Sequence, residues 1–209
     1  MLTANEFITI ARRLPREAPF SLAYAGVIIA TSTMKNLRPD EGRRITQDLS
    51  TNLYNLDHHP VRALFGSALV VDGSTVLNLA AGIPPMVTSE RRLGPATTAA
   101  IFMIGHLGAS LLTAVTIRRG LVTGYYPPEV TQALDVGPSY GGLAVRFAAI
   151  GARPTGGSHM RDIASAGALL GLTSPWKMPR DFTSTGHVIA AGIGVVAAVA
   201  IRAKRRNLQ

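Results

Sequence analysis

Six stretches of this chain run without a charged residue: Ala18–Met34, Gly73–Ser89, Leu93–Ile117, Val136–Val145, Ile163–Trp176 and Phe182–Ile201. Their lengths are 17, 17, 25, 10, 14 and 20 residues. An α-helix rises about 1.5 Å per residue, so about 20 apolar residues cross the hydrocarbon core of a bilayer. The third and sixth stretches meet that length, the first two come close to it, and the fourth and fifth are short. The fourth becomes a usable helix by continuing through Arg146 to about Gly151, and a helix carrying an arginine there belongs inside protein instead of against lipid. The pattern predicts an all-α membrane protein: a bundle of six transmembrane helices with a short central fourth helix that begins at Ser139.

Six spans put both termini on one side of the membrane. Placing them in the cytoplasm assigns 12 Lys and Arg to short inner segments and 9 to outer ones, five of the nine in one long loop. That bias is the one expected of cytoplasmic termini. The chain then divides into a cytoplasmic N-terminal segment (1–17), a membrane domain (18–202) with an outer loop at 35–72, and a basic cytoplasmic tail (203–209). Arg12, Arg13 and Arg16 precede the first apolar stretch and no small-residue cleavage site follows it, so it reads as a retained signal anchor, with the bacterial inner membrane as the expected location. In the outer loop, Ile45, Leu49, Leu53 and Leu56 fall at helical spacing and predict one amphipathic helix from Arg43 to Leu56 lying on the membrane surface.

Composition agrees with this reading. A chain of 209 residues with 47% hydrophobic and 16% charged positions is too apolar for an ordinary soluble protein. Its net charge of +9 comes from basic residues that flank apolar runs without aromatic interleaving, which argues against nucleic acid as a partner and for the lipid bilayer. With no cysteine, disulfides and thiolate chemistry are excluded. His58 and His59 have no further ligands at suitable spacing, so neither a metal nor another cofactor is expected.

The candidate chemistry lies in Gly137-Pro138-Ser139-Tyr140-Gly141-Gly142 and in His187, 48 residues after Ser139. Each residue of the pair stands near one end of an apolar helix. An alcohol attacks a carbonyl when a nearby base accepts its proton, and neutral imidazole is the usual base. Ser139 reads equally as a helix N-cap, and His187 as a polar residue satisfied between helices. In the second stretch, Asn78 follows Ser74 by one turn, and an amide in an apolar helix needs a protein partner or a water-filled cavity. Pro84-Pro85 breaks or kinks that helix before a short turn at Ser89–Pro95. His106 competes as the base for Ser139, although a hydrogen bond between helices is the expected role beside Gly105 and Gly108. Small residues four apart, Gly167 with Gly171 and Ala190 with Gly194, predict close helix packing.

From Val61 to Arg206 the arrangement resembles the rhomboid family of intramembrane serine proteases. The resemblance rests on Asn78 in the second helix, Glu90-Arg91-Arg92-Leu93-Gly94 after it, Gly137-Pro138-Ser139 opening the fourth helix, and His187 followed by Ala190 and Gly194 in the sixth. It implies that Ser139 is the nucleophile and His187 the general base, and that Asn78 and the Ser139 backbone N–H donate to the oxyanion, with transmembrane segments of other proteins as substrates. It also implies an alternative: a catalytically inactive rhomboid-like protein that binds transmembrane helices or serves as a membrane-complex subunit. This chain departs from the family pattern at four positions. Ser74 stands where a histidine oxyanion donor is usual, its hydroxyl the expected partial replacement, and Tyr140, in place of a glycine, is expected to crowd the substrate site beside Gly137. Leu143 replaces an aromatic that packs on the histidine, and Arg146 either pairs with Glu90 or ends the helix.

Overall fold

The computed structural model describes residues 13–153 and 181–207. The fifth apolar stretch, Ile163–Trp176, with Gly167 and Gly171, lies outside them. Among the described residues the regular structure is entirely helical. The long elements are α1 (Pro19–Leu37), α5 (Thr75–Leu93), α6 (Pro95–Val122), α7 (Ser139–Gly151) and α8 (Phe182–Arg206), with α2 (Pro39–Leu49), α3 (Leu53–His58) and α4 (Pro60–Gly66) between α1 and α5.

By length and apolar composition α6 and α8 can cross a membrane. Both carry small and polar residues on the buried face and large apolar ones on the exposed face. The buried side of α6 carries Thr98, Gly105, His106, Ser110 and Thr113 beside Ile101, Phe102 and Ile117, while Ile104, Leu111, Leu112 and Val115 point outward. On α8, Val188, Val195, Val196 and Val199 are exposed and His187, Ala190 and Gly194 are buried. Small and polar residues facing inward, with branched apolar ones outside, suit a bundle solvated by lipid.

Helix α7 occupies the centre. It begins at Ser139 after the Pro138 turn and has nine of its thirteen residues buried, Arg146 among them. Such enclosure requires small residues on its neighbours. A side chain at Gly105 of α6 would collide with the Ala144 methyl, and one at Gly194 of α8 with the Ala144 carbonyl and with Phe147 Cβ, 2.8 Å away. Phe102 fills the space over Gly141 and joins Phe20 and Tyr24 of α1 in an aromatic cluster, with centroids 4.8 Å apart between Tyr24 and Phe102.

Of the two outcomes expected at Pro84-Pro85, a break does not occur: α5 runs on through both prolines to Leu93, and Gly94 turns the chain into α6. The acid of α5 departs from the sequence expectation. Glu90, 0% exposed, does not pair with Arg146; its oxygens accept the backbone N–H groups of Phe20 (2.9 Å) and Ser21 (2.7 Å) and the Ser21 hydroxyl (2.6 Å). Helix α1 has no side-chain cap of its own, so a carboxylate about 70 residues distant satisfies its first free donors and meets the positive end of its dipole. Arg146 donates instead to Thr88 Oγ1 at 3.4 Å. At the other terminus of α7, Arg202 and Arg205 of α8 donate to the carbonyls of Arg153 and Ala152.

The single surface helix expected over Arg43–Leu56 is two helices, α2 and α3, broken at Ser50-Thr51-Asn52. Helical spacing of the leucines is kept, but the three polar residues turn outward from the helical path to bind elsewhere. Asn52 caps α3 through Asn55 N (2.8 Å), and Asn55 in turn donates to the carbonyls of Gln47 and Ser50. Ser50 and Thr51 hold Asp135, on the segment that leads into α7.

Two outcomes test this packing. Glu90→Gln presents an NH2 to donors that need an acceptor, and loss of charge-assisted hydrogen bonds at a buried site costs about 2–4 kcal/mol. Thermal unfolding in detergent is expected to show a midpoint lower by about 5–15 °C, with a smaller loss for Ser21→Ala. Gly194→Val forces α8 from α7, and the folded, monodisperse fraction recovered from membranes should fall sharply, whereas Gly192→Val, where space is open, should leave it unchanged.

Candidate active site

The segment before α7 is fixed over most of its length. Thr51 N donates to the Asp135 carbonyl (2.9 Å), Asp135 N donates to Ser50 Oγ (2.8 Å), Thr51 Oγ1 donates to Asp135 Oδ2 (3.1 Å), and Gln47 Nε2 donates to the Gln132 carbonyl (3.0 Å). Gly137 donates its N–H to the Ser67 carbonyl (2.8 Å) and has φ of +117°, a backbone conformation open to glycine and strained for other residues. The chain then turns at Pro138 and enters α7 without a side-chain cap. Ser139 is thus the first helical residue, beside free helix N–H groups, and the N-cap role allowed by the sequence is not the one it takes.

A cavity of about 330 Å³ opens between α1, α5 and α7 and reaches α8. Ser139, His187 and Asn78 all line it, each brought by a different helix, and most of the remaining wall is apolar: Ile28 of α1, Leu77, Ile83 and Met86 of α5, and Leu143 of α7. Ser74, Gly137 and Tyr140 are not among the lining residues. Ser74 is exposed and is itself an N-cap, its Oγ accepting from Leu77 N at 3.3 Å. The Asn78 amide nitrogen, one turn on, donates to the carbonyls of Asp72 (3.1 Å) and Ser74 (2.9 Å).

His187 is 2% exposed, and neither ring nitrogen has a hydrogen-bond partner among the described residues. Its neighbour is Tyr140, whose ring meets it edge to face with centroids 5.4 Å apart and planes at 75°. Successive helical residues point about 100° apart, so Tyr140, directly after Ser139, faces α6 and α8 while Ser139 faces the cavity. The tyrosine thus stands outside the lining of the cavity. It supplies the aromatic contact on the histidine that Leu143 lacks. Tyr140 Oη donates to Asp135 Oδ2 at 3.3 Å.

Burial pushes the Asp135 carboxyl up to about 6, the Thr51 and Tyr140 hydroxyls pull it down, and nearby Asp181 adds to the rise. Asp181 caps α8, accepting from the backbone N–H groups of Thr183 (3.0 Å) and Ser184 (3.1 Å). Asp135 and Thr51 escape sequence reasoning because a lone acid and a lone threonine, 84 residues apart, form no motif. The one hint is that Asp135 bounds the uncharged fourth stretch. His106 takes the structural role expected of it, with Nε2 donating to the Leu64 carbonyl (3.0 Å) and lying 3.0 Å from Ser67 Oγ. His58 stacks on Tyr54 at the surface.

The chain matches the family model described as rhomboid-like protein over residues 14–207. No curated protein and no solved structure matches it. The matched region takes in helices α1 to α8 and all three residues that converge on the cavity. The chain belongs to the rhomboid-like family.

Proposed function

We propose that the protein is an intramembrane serine protease in which Ser139 attacks a peptide carbonyl of a substrate transmembrane segment and His187 carries the proton. The observation that supports this most is the convergence of Ser139, His187 and Asn78, from α7, α8 and α5, on one largely apolar cavity. An apolar wall suits a substrate that arrives from lipid, and the uncapped start of α7 offers backbone N–H groups to a tetrahedral oxyanion. The proposed architecture has six spans with both termini in the cytoplasm, in a bacterial inner membrane. Helices α7 and α8 run parallel, with Tyr140 beside His187 at one end and Gly151 beside Ala198 toward the other. In the six-span reading the uncharged stretch Ile163–Trp176 is counted as the fifth span on its sequence alone.

A second reading, an inactive rhomboid-like protein that binds transmembrane helices or joins a membrane complex, draws on two observations. The Asn78 amide is engaged with two backbone carbonyls, and His187 has no hydrogen bond to Ser139. In the protease reading, substrate binding draws the serine to the imidazole, since catalytic hydrogen bonds commonly tighten only in the bound complex.

Reaction of the membrane-embedded protein with a fluorophosphonate probe separates the two. The protease reading expects covalent labelling of the wild type and none in Ser139→Ala or His187→Ala. Absence of labelling in folded wild-type protein selects the helix-binding reading. Loss of a preorganised oxyanion donor lowers rates by about 100- to 1,000-fold. Because Asn78 must first release a carbonyl, Asn78→Ala is expected to slow labelling less, by about tenfold.

A further inference from the structure

We propose that Asp135 and Tyr140 position the His187 imidazole: Asp135 anchors the tyrosine hydroxyl, and the tyrosine ring is the wall against which the histidine rests. This deepens the protease reading and takes its catalytic meaning from it. A general base must hold one ring nitrogen toward the serine, and that orientation is ordinarily set by a hydrogen bond at the other nitrogen. Among the described residues His187 has no such bond. Its orientation therefore depends on packing, and the aromatic surface in contact with it is Tyr140.

The tyrosine is held from both sides. Toward α8, its hydroxyl end seats against Gly186, where any Cβ would collide with it. Toward the loop, the hydroxyl donates to Asp135 Oδ2, the same oxygen that accepts from Thr51 Oγ1. Asp135 is itself fixed through its backbone by Ser50 and Thr51. The other acid that bears on Asp135 is Asp181, which is occupied in capping α8. A continuous chain of contacts thus runs from the break between α2 and α3 through Asp135 and Tyr140 to His187. A phenylalanine would fill the same volume without being anchored, so the hydroxyl is the part of Tyr140 that this role requires.

Tyr140→Phe keeps the wall and removes the anchor; Asp135→Asn keeps the shape and removes the charged acceptor. In full-length protein in nanodiscs, each should lower the rate of fluorophosphonate labelling about tenfold, the order expected when one orienting contact of a reacting group is lost. The double variant should be no slower than either single one, since both break the same link. In protein carrying isotope-labelled histidine, the His187 ring resonances, assigned by their loss in His187→Ala, should shift in both variants. A merely structural role would lower the thermal midpoint and leave those resonances in place. Folded Tyr140→Phe protein with wild-type resonances and labelling rate overturns the proposal, and this variant decides alone if Asp135→Asn does not fold. If the wild type is never labelled, the protease reading fails separately, and the resonance comparison still decides whether Asp135 and Tyr140 hold the ring.

Discussion

A carboxylate buried at the end of one helix and closing the start of another is the contact on which the bundle depends. Glu90 is removed from solvent, a state that is costly for a charge unless every lone pair is occupied. Three donors from α1 occupy it, two of them backbone N–H groups that would otherwise lack partners. The contact fixes α1 to the base of α5, and Gly94 then turns the chain directly into α6. With those three helices tied at one end, Tyr24 and Phe102 can meet above the junction and the short α7 can be enclosed. The exposed ion pair between Arg91 and Glu17, 2.9 Å, adds little by comparison.

The opposite end is organised by hydrogen bonds between segments far apart in the chain. Broken helices α2 and α3 put Ser50 and Thr51 against Asp135, and Ser67 against Gly137, so the start of α7 is held by a loop 70 to 85 residues earlier. His106 reaches the same loop from α6. The cavity is left between this fixed end and the wall of α5, whose apolar residues face it.

Much of the fold was legible in the sequence because helix length and uncharged runs are local properties. The presence of α6 and α8 and where they begin, the start of α7 at Ser139 and its continuation through Arg146 follow from them, although α6 and α8 each run about a turn further, through the basic residues that end the uncharged runs. What escaped was what depends on partners. Pairing Glu90 with Arg146 matches opposite charges, but helix N–H groups bear partial charge that no residue letter records. The break at Ser50–Asn52 is invisible to periodicity, since the flanking leucines keep helical spacing across it. Tyr140 looks obstructive when it is read as the residue beside Ser139; its direction, a quarter turn or so away, is a property of the helix. Of the candidate residues, Ser139, His187 and Asn78 meet at one cavity, while Ser74, Gly137 and Tyr140 shape its surroundings from outside.

The parallel course of α7 and α8 has an electrical consequence. Side by side in the same direction, the two helix dipoles repel, and each places roughly half a positive charge at the end where Ser139 and His187 lie. The ionisable groups are distributed to relieve this: Asp135 and Asp181 stand at that end, and the guanidinium groups of Arg202 and Arg205 meet the carbonyl end of α7. The pair is in effect a polarised element set along the bundle axis. Carboxylates at one end and guanidinium groups at the other thus lower the cost of setting two parallel helix dipoles side by side.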